Sequence, residues 1–355
     1  MAYVHGATSR TRSIFLTRYA RGEPLTEDHF AIREHGVREL RPNEVLLETL
    51  ALSVDPYLRS AMTGIERYYI PQFEFDRPIH SMGVARVLES RLDGYAAGDV
   101  VLGAIDWSDV SVLGPEDIAS RGVSGGILVR LAQPLRPLAH YLGVLGTTGI
   151  TAFFGVVGTT RPRPGETMVL SGAAGGVGSV AGQIARLLGA RVIGLAGSPA
   201  KCEVLVEQLG FEAALDYRSP TLAADMLALL PTGPNIYFDN VGGAVSQTVM
   251  STMRRPARVI ECGQISSYDD PDGGWTVDIR PIHQNGLRFE SFAPSHYPEF
   301  RPGAVAQLAH WLDAGKLIAL DTTYTGFEAV VPAFLDVFRG GNIGKSVALL
   351  DPAVG

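Results

Sequence analysis

At 355 residues the chain exceeds the usual size of one hydrophobic core, so two domains are expected. Its apolar fraction of 46% indicates a fully folded protein, and its net charge of −7 provides no basic surface for nucleic acid. No stretch approaches the ~18 consecutive apolar residues of a membrane helix. The polar segment 1–12 does not look like a secretory signal. A cytoplasmic protein with no nucleic-acid or membrane partner is therefore expected.

The cysteine and histidine content argues against a metal site. Two cysteines, Cys202 and Cys262, are too few for a disulfide framework or a four-cysteine zinc lobe. The eight histidines form neither a His-Glu-x-x-His motif nor a short His/Cys pair. No metal is predicted.

The first part of the chain is predicted to be rich in strands. Short apolar runs broken by Gly and Pro predict strands at 14–16, 30–34, 44–52, 84–89 and 100–104. This pattern favours a small β-rich barrel.

A glycine-rich stretch dominates the middle of the chain. Residues 167–171 form a short apolar run that predicts a buried parallel strand. Ala173, Gly175 and Gly178 then occupy the three positions of a dinucleotide fingerprint, and apolar residues recur at helical spacing as far as Leu187. Gly175 would let the backbone approach a pyrophosphate, and Gly178 would let the helix pack closely on the sheet. The alternative is a glycine-rich turn without a ligand.

The end of the next predicted strand, 191–196, bears on the choice of cofactor. An NAD enzyme usually has Asp or Glu here to bind the ribose hydroxyls. This chain has Gly197 and Ser198, followed by Lys201. A missing acid, a small hydroxyl and a nearby cation suit a 2′-phosphate, so NADPH is predicted over NADH. Lys201 could instead be an ordinary solvated lysine, and Glu203 would weaken the site if it faced inward.

Further along, strands and helices alternate, as in a doubly wound parallel sheet. Helices are predicted at 199–208, 221–230, 244–253 and 303–314, and strands at 213–215, 235–239, 258–261 and 287–292. A strand at 318–324, a helix at 328–338 and a strand at 345–350 follow, and the last could return to the barrel. The expected organisation is a discontinuous barrel domain, residues 1–143 and 315–355, around a Rossmann domain, residues 144–314.

Several segments together carry a family resemblance. They are VDPYLR (54–59), LGTTGITA (145–152), SGAAGGVGS (171–179), AGSPAK (196–201), YFDNVGG (237–243), CGQISSY (262–268) and GNIGK (341–345). In this order they resemble the zinc-free medium-chain dehydrogenases/reductases, in particular the NADPH-dependent alkenal/one, prostaglandin and leukotriene reductases. The resemblance implies a GroES-like barrel domain beside the Rossmann domain, NADPH in the cleft between them, and a homodimer. Residues 80–83, His-Ser-Met-Gly, depart from the family's more glycine-rich approach to the next strand, which leaves the substrate open.

The resemblance also implies which residues bind the cofactor. They are Thr151, Ala174, Gly175, Gly176, Val177, Gly178, Gly197, Ser198, Lys201, Tyr217, Asn240, Cys262, Gly263, Ile265, Tyr268 and Asn342. Thr151, at the start of a cleft-facing helix, would contact the nicotinamide amide, and Tyr217 would lie on the 2′-phosphate side of the adenosine. Asn240 and Asn342 precede glycine turns and could serve simply as turn residues.

Two tyrosines are the catalytic candidates. Zinc-dependent relatives need a cysteine near residues 55–57, and this chain has none there. Metal-free hydride transfer suits a conjugated alkene, because hydride can add to the β-carbon and leave charge on an enolate oxygen. Tyr268 would stabilise that oxygen or relay a proton, directly or through the cofactor ribose, unless it only packs on the ribose and solvent supplies the proton. Tyr57 is expected to line the substrate pocket, or else to be a core tyrosine.

The predicted function is NADPH-dependent reduction of the C=C bond of α,β-unsaturated ketones and aldehydes. Two alternatives stay open: NADPH-dependent quinone reduction, and a noncatalytic NADPH-binding protein.

Overall fold

The computed structural model describes residues 10–65, 71–121, 128–269, 276 and 280–351. The strands and α-helices are, in chain order, β1 (Arg10–Leu16), β2 (Phe30–Gly36), β3 (Val45–Ser53), β4 (His80–Ser90), β5 (Val100–Asp106), β6 (Val110–Leu113), α1 (Pro115–Ser120), β7 (Val129–Arg130), α2 (Leu138–Leu142), α3 (Thr147–Phe153), β8 (Thr167–Leu170), α4 (Gly176–Leu187), β9 (Arg191–Ala196), α5 (Pro199–Glu207), β10 (Ala213–Asp216), α6 (Leu222–Leu229), β11 (Ile236–Asp239), α7 (Gly243–Thr252), β12 (Ala257–Glu261), α8 (Arg280–Asn285), β13 (Leu287–Ser291), α9 (Arg301–Asp313), β14 (Asp321–Thr325), α10 (Val330–Arg339) and β15 (Lys345–Leu349). None of these helices is long and apolar enough to cross a membrane.

The N-terminal region is mostly strand, as predicted, but its main sheet is open. Pairing follows the order β14-β15-β3-β4-β5-β7, with β6 also pairing with β3, while β1 and β2 form a separate antiparallel ribbon. No ladder joins β7 to β14 within the described ranges. The predicted β-rich domain is therefore confirmed, although its main sheet does not close into a complete barrel within those ranges. One end strand, β7, has only two residues, and the other, β14, runs parallel to its neighbour.

The last strands of the chain join this N-terminal sheet. β15 lies antiparallel to β3, with Val347 opposite Ser53, and β14 lies parallel to β15. Residues from both ends of the chain thus share one sheet. The exact limits proposed for the two domains stay a prediction.

The middle of the chain forms a six-stranded parallel sheet in the order β10-β9-β8-β11-β12-β13. Because side chains alternate along a strand, Met168 and Leu170 pack on one face of the sheet while Val169 packs on the other. The strands predicted here lie within about two residues of their expected positions. β14 starts later than predicted, because the side chain of Gln183 binds both backbone groups of Ile318 in place of a neighbouring strand.

One fingerprint glycine, Gly178, packs as closely as expected of it. A Cβ on Gly178 would lie 2.3 Å from the carbonyl oxygen of Gly172, so only glycine lets α4 approach the end of β8 this closely. Gly172 has a φ of +58°, which also favours glycine. The backbone N–H of Gly344 donates to the carbonyl of Ala174 at 2.7 Å. The turn before β15 is thereby fixed against the fingerprint turn.

Candidate functional site

A cleft of about 320 Å³ lies at the carboxyl ends of the parallel strands, facing the strand-rich part of the protein. In a doubly wound sheet this edge is where dinucleotides bind. The turns after five strands contribute residues, together with α3 and the turn before β15. The predicted residues that line the cleft are Tyr57, Thr151, Ala174, Gly175, Gly176, Val177, Gly178, Gly197, Lys201, Tyr217, Asn240, Cys262, Gly263, Ile265, Tyr268 and Asn342.

Two predicted cofactor contacts need correction in position. Ser198 is not among the lining residues, and its hydroxyl caps α5 by accepting a hydrogen bond from the N–H of Lys201. Thr151 lines the cleft but lies in the second turn of α3 and not at its start. Its hydroxyl donates to the carbonyl of Thr147 at 2.7 Å.

The two asparagines line the cleft and also hold turns. The side-chain amide of Asn240 donates to the carbonyl of Ser171 at 2.8 Å, linking the ends of β11 and β8. That of Asn342 donates to the carbonyl of Gly344 at 2.8 Å. Both asparagines therefore stabilise turns, which was the alternative role considered for them from the sequence.

One end of the cleft concentrates positive charge. A Cβ on Gly340 would lie 3.8 Å from Lys201 Nζ and 3.7 Å from Arg218 Nη2, so the two cations converge on this point. Burial and the charge of Arg218 hold the pKa of Lys201 below its ordinary value, against the opposing influence of Asp336. Two neighbouring cations form a receptor for an anion. Glu203 is exposed and does not line the cleft.

Arg218 is absent from the sequence-based prediction. Its guanidinium lies 6.0 Å from the ring centre of Tyr217, and a Cβ on Gly197 would lie 2.6 Å from the Tyr217 hydroxyl. Arg218 could have been identified from the sequence because it directly follows Tyr217, at the end of a predicted strand of the same sheet. A glycine at position 197 leaves the room that both side chains occupy.

The two tyrosines are carried by elements that an ion pair joins. Tyr57 lies in the short 3₁₀ helix Pro56–Met62, and Tyr268 follows the 3₁₀ turn Ile265–Ser267. Arg59 Nε donates to Asp269 Oδ1 at 2.8 Å, two residues beyond Tyr57 and one beyond Tyr268. Arg59 is fully buried, and its Nη2 also donates to the carbonyls of Ala20 and Glu23, each at 2.7 Å.

A second ion pair, with both partners buried, forms part of the cleft wall. Lys345 Nζ lies 2.7 Å from Asp55 Oδ1 and 3.2 Å from the carbonyl oxygen of Val54. The hydroxyl of Ser53 donates to the other oxygen of Asp55. Since Lys345 begins β15 and Asp55 precedes the helix of Tyr57, the pair fixes that helix to the C-terminal strand. Sequence reasoning missed both partners.

A buried carboxylate organises the strand ends beneath the cleft. Asp239 accepts hydrogen bonds from the hydroxyls of Ser171, Tyr237 and Ser246, and from the backbone N–H groups of Val241 and Gly242. It has no solvent exposure. This network fixes the ends of β8 and β11, where the fingerprint turn and Asn240 begin.

Two groups beside Asp239 are held in their neutral forms. Burial, together with the charge of Asp239, raises the pKa of Glu261 to about 8. Burial also raises the pKa of the Cys262 thiol well above its ordinary value. A protonated thiol is a poor nucleophile and a poor metal ligand. Among the described residues, no group of three or more His, Cys, Asp and Glu side chains could hold a metal ion.

The fold and cleft define a class: an oxidoreductase with a dinucleotide-binding parallel sheet beside a strand-rich domain. Residues 12–120 match the family described as the N-terminal domain of oxidoreductase, and residues 176–313 match the one described as zinc-binding dehydrogenase. The chain belongs to the medium-chain dehydrogenase/reductase family, and it is an oxidoreductase.

Individual relatives agree with this assignment over almost the whole chain. The putative NADP-dependent oxidoreductase YfmJ of Bacillus subtilis is 39% identical, covering 98% of this chain and 100% of its own. The NADP(+)-dependent 2-alkenal reductase of Nicotiana tabacum is 32% identical, covering 96% and 97%. The crystal structure of CurA from Vibrio vulnificus in complex with NADPH has a TM-score of 0.86 at 29% identity, covering 95% and 98%.

Proposed function

We propose that this protein reduces the C=C bond of α,β-unsaturated ketones and aldehydes, with NADPH as cofactor. The observation that carries the proposal is that the fingerprint turn, Lys201 and the two tyrosines line one cleft, with the Arg218 cation beside Lys201 at Gly340. Among the relatives, the NADP(+)-dependent 2-alkenal reductase supports the proposed reaction, and the CurA complex with NADPH supports the proposed cofactor.

The residues present fit NADPH. Because α4 begins at Gly176, the first backbone N–H groups of this helix have no partner within the helix and would bind a pyrophosphate, whereas the N–H of Gly175 already donates to the carbonyl of Gly172. Lys201, Arg218 and the Tyr217 hydroxyl would hold the 2′-phosphate. Asn240, Gly263 and Ile265 would contact the ribose and nicotinamide at the other end. Bound NADPH would supply a hydride to the β-carbon of the substrate.

Tyr268 then acts on the charge that develops when the alkene is reduced. Its hydroxyl would donate a hydrogen bond to the enolate oxygen, which gains strength as negative charge forms there. The proton that finally reaches the α-carbon comes from Tyr268, through a ribose hydroxyl, or from solvent. Tyr57 would hold the substrate against the cofactor from the opposite wall.

The protein would act as a homodimer in the cytoplasm. The family resemblance supports the homodimer, and size-exclusion chromatography with light scattering tests it directly. The cytoplasmic location rests on the sequence expectation alone.

The proposed reaction is tested by oxidation of NADPH with enones, enals and quinones. We expect turnover with enones and enals, and chromatography with mass spectrometry should identify the saturated ketone or aldehyde. Reduction of quinones alone, to hydroquinones, would replace the proposal with the alternative enzymatic function. Tight NADPH binding without turnover of any compound would point to the noncatalytic alternative.

A further inference from the structure

A second cavity, of about 250 Å³, adjoins the cleft and shares Tyr57 with it as a wall. We call it the distal cavity. Its apolar walls are Leu58, Phe73 and Met82, and its polar side carries His80 and Arg121. A substrate held against Tyr57 in the cleft could therefore extend past that ring into the distal cavity.

His80 is the distinctive polar group of the distal cavity. Its ring packs edge-on against Phe73, with centroids 5.1 Å apart. Burial and the nearby charges of Arg121 and Arg77 lower its pKa to about 3, so the imidazole is neutral at physiological pH. Within the described part of the chain its ring nitrogens make no hydrogen bond. A neutral imidazole offers one N–H donor and one acceptor nitrogen.

Three of the polar side chains that line the distal cavity beside His80 are already engaged, while Glu74, Ser81 and Ser120 also belong to its lining. Arg121 pairs with both Asp106 and Asp117, and Arg77 Nη2 lies 2.9 Å from Asp117 Oδ1. The side-chain amide of Gln72 donates to two backbone carbonyls, at 2.8 and 2.9 Å, and its oxygen accepts from two backbone N–H groups. Arg121, Arg77 and Gln72 are thus held by other partners, whereas a ligand in the cavity could bind the His80 ring without breaking any of these contacts.

We propose that the distal cavity binds the far end of the substrate, and that His80 recognises a neutral oxygen there, a hydroxyl or a carbonyl, on a hydrocarbon arm. The proposal rests on the enone reductase function proposed above. The apolar walls fit the hydrocarbon arm. A neutral oxygen fits better than a carboxylate, because the two arginines are already balanced by Asp106 and Asp117.

The test compares four straight-chain enones with NADPH: a short one, and three longer ones of equal length ending in a methyl, a primary hydroxyl or a carboxylate group. With the wild-type protein, the hydroxyl-ended enone should have a KM roughly fivefold below that of the methyl-ended one, the scale of one added hydrogen bond. His80→Leu should bring these two KM values together, and His80→Gln should restore part of the difference. His310→Leu, the same substitution on the exposed surface of α9, should keep the wild-type ratio.

Equal KM values in the wild type, or an unchanged ratio in His80→Leu, would overturn the proposal. A stronger preference for the carboxylate would overturn the assignment of a neutral arm. Calorimetric binding of the corresponding saturated ketones to the NADP-loaded protein gives the same comparison without turnover. Absence of enone reduction with a retained, His80-dependent binding preference would thus reject the proposed reaction and keep the subsite.

Discussion

Two of the three lysines in the chain line the cleft, and their surroundings give them different roles. Lys345 is buried against Asp55, so its charge holds the Tyr57 helix in place. Lys201 lies beside another cation, so its charge is available to a ligand. Lys201 could be found from the sequence because it closely follows a strand end. The Lys345–Asp55 pair could not, since its partners are 290 residues apart.

Lys201→Ala should weaken NADPH binding by about 1–3 kcal/mol and leave NADH binding nearly unchanged, because only NADPH carries the 2′-phosphate. Arg218→Ala should act in the same direction. Fluorescence titration of both cofactors measures the effect. Lys316→Ala, at an exposed lysine outside the cleft, is the matched control. Equal affinity of the wild type for NADPH and NADH would contradict this assignment.

Tyr268→Phe should lower kcat on an enone while NADPH affinity stays nearly intact. The hydroxyl gains strength only as enolate charge develops, whereas ring packing survives in Phe. Removing the main hydrogen-bond donor to an oxyanion raises the activation free energy by about 2.7–4 kcal/mol. If a ribose hydroxyl or water also donates to the enolate oxygen, the increase should be about 1.4 kcal/mol, a tenfold loss of rate. Single-turnover loss of NADPH absorbance measures it, with Tyr297→Phe, stacked on Phe154 in another part of the protein, as control. An unchanged rate would assign proton delivery to solvent and leave Tyr268 as a packing residue.

At the scale of elements, the relative position of the two tyrosines depends on the contact between their short helical turns. The motif VDPYLR pointed to Tyr57, but the sequence gave no reason to pair Arg59 with Asp269, 210 residues away. Arg59 has no solvent exposure, so losing its carboxylate partner would leave a buried guanidinium charge only partly satisfied.

Asp269→Asn should lower kcat/KM for an enone several-fold and reduce stability by about 1–2 kcal/mol, because the turn bearing Tyr268 would lose its fixed position relative to Tyr57. NADPH affinity should change little, since the fingerprint turn and the Lys201 region lie on other elements. Steady-state kinetics, cofactor titration and thermal unfolding measure the three quantities. Asp313→Asn breaks an exposed pair with Arg136 and should have almost no effect on any of them. Equal behaviour of the two variants would remove the proposed positioning role of Asp269.

At the scale of the whole molecule, local patterns predicted the parallel sheet well, because its strands are short apolar runs that alternate with helical segments along the chain. The openness of the other sheet could not be predicted, since closure depends on whether β7 and β14 meet, which no local pattern encodes. The distal cavity could not be predicted from the sequence either. The cavity forms where β4 packs against residues near Phe73 and Arg121, which are distant in sequence. The difference from the family pattern at residues 80–83 indicated only that the substrate could not be assigned from the sequence.

The stability of the whole protein should depend on pH through Glu261. Its pKa is raised from 4.5 to about 8, so the folded state keeps a proton that the unfolded chain has already lost across that range. The stabilisation that comes from this protonated carboxyl is fully present below about pH 4.5, and the free energy of unfolding falls as the pH rises from there towards about 8. Glu261→Gln, neutral at every pH, should remove this dependence. After allowing for partial solvent screening, it should stabilise the protein by about 1–2 kcal/mol at alkaline pH and change little in mild acid. Thermal unfolding at both pH values measures this, with Glu299→Gln at an exposed position as control. The same pH dependence in wild type and Glu261→Gln would show that the Glu261 carboxyl titrates alike in the folded and unfolded states.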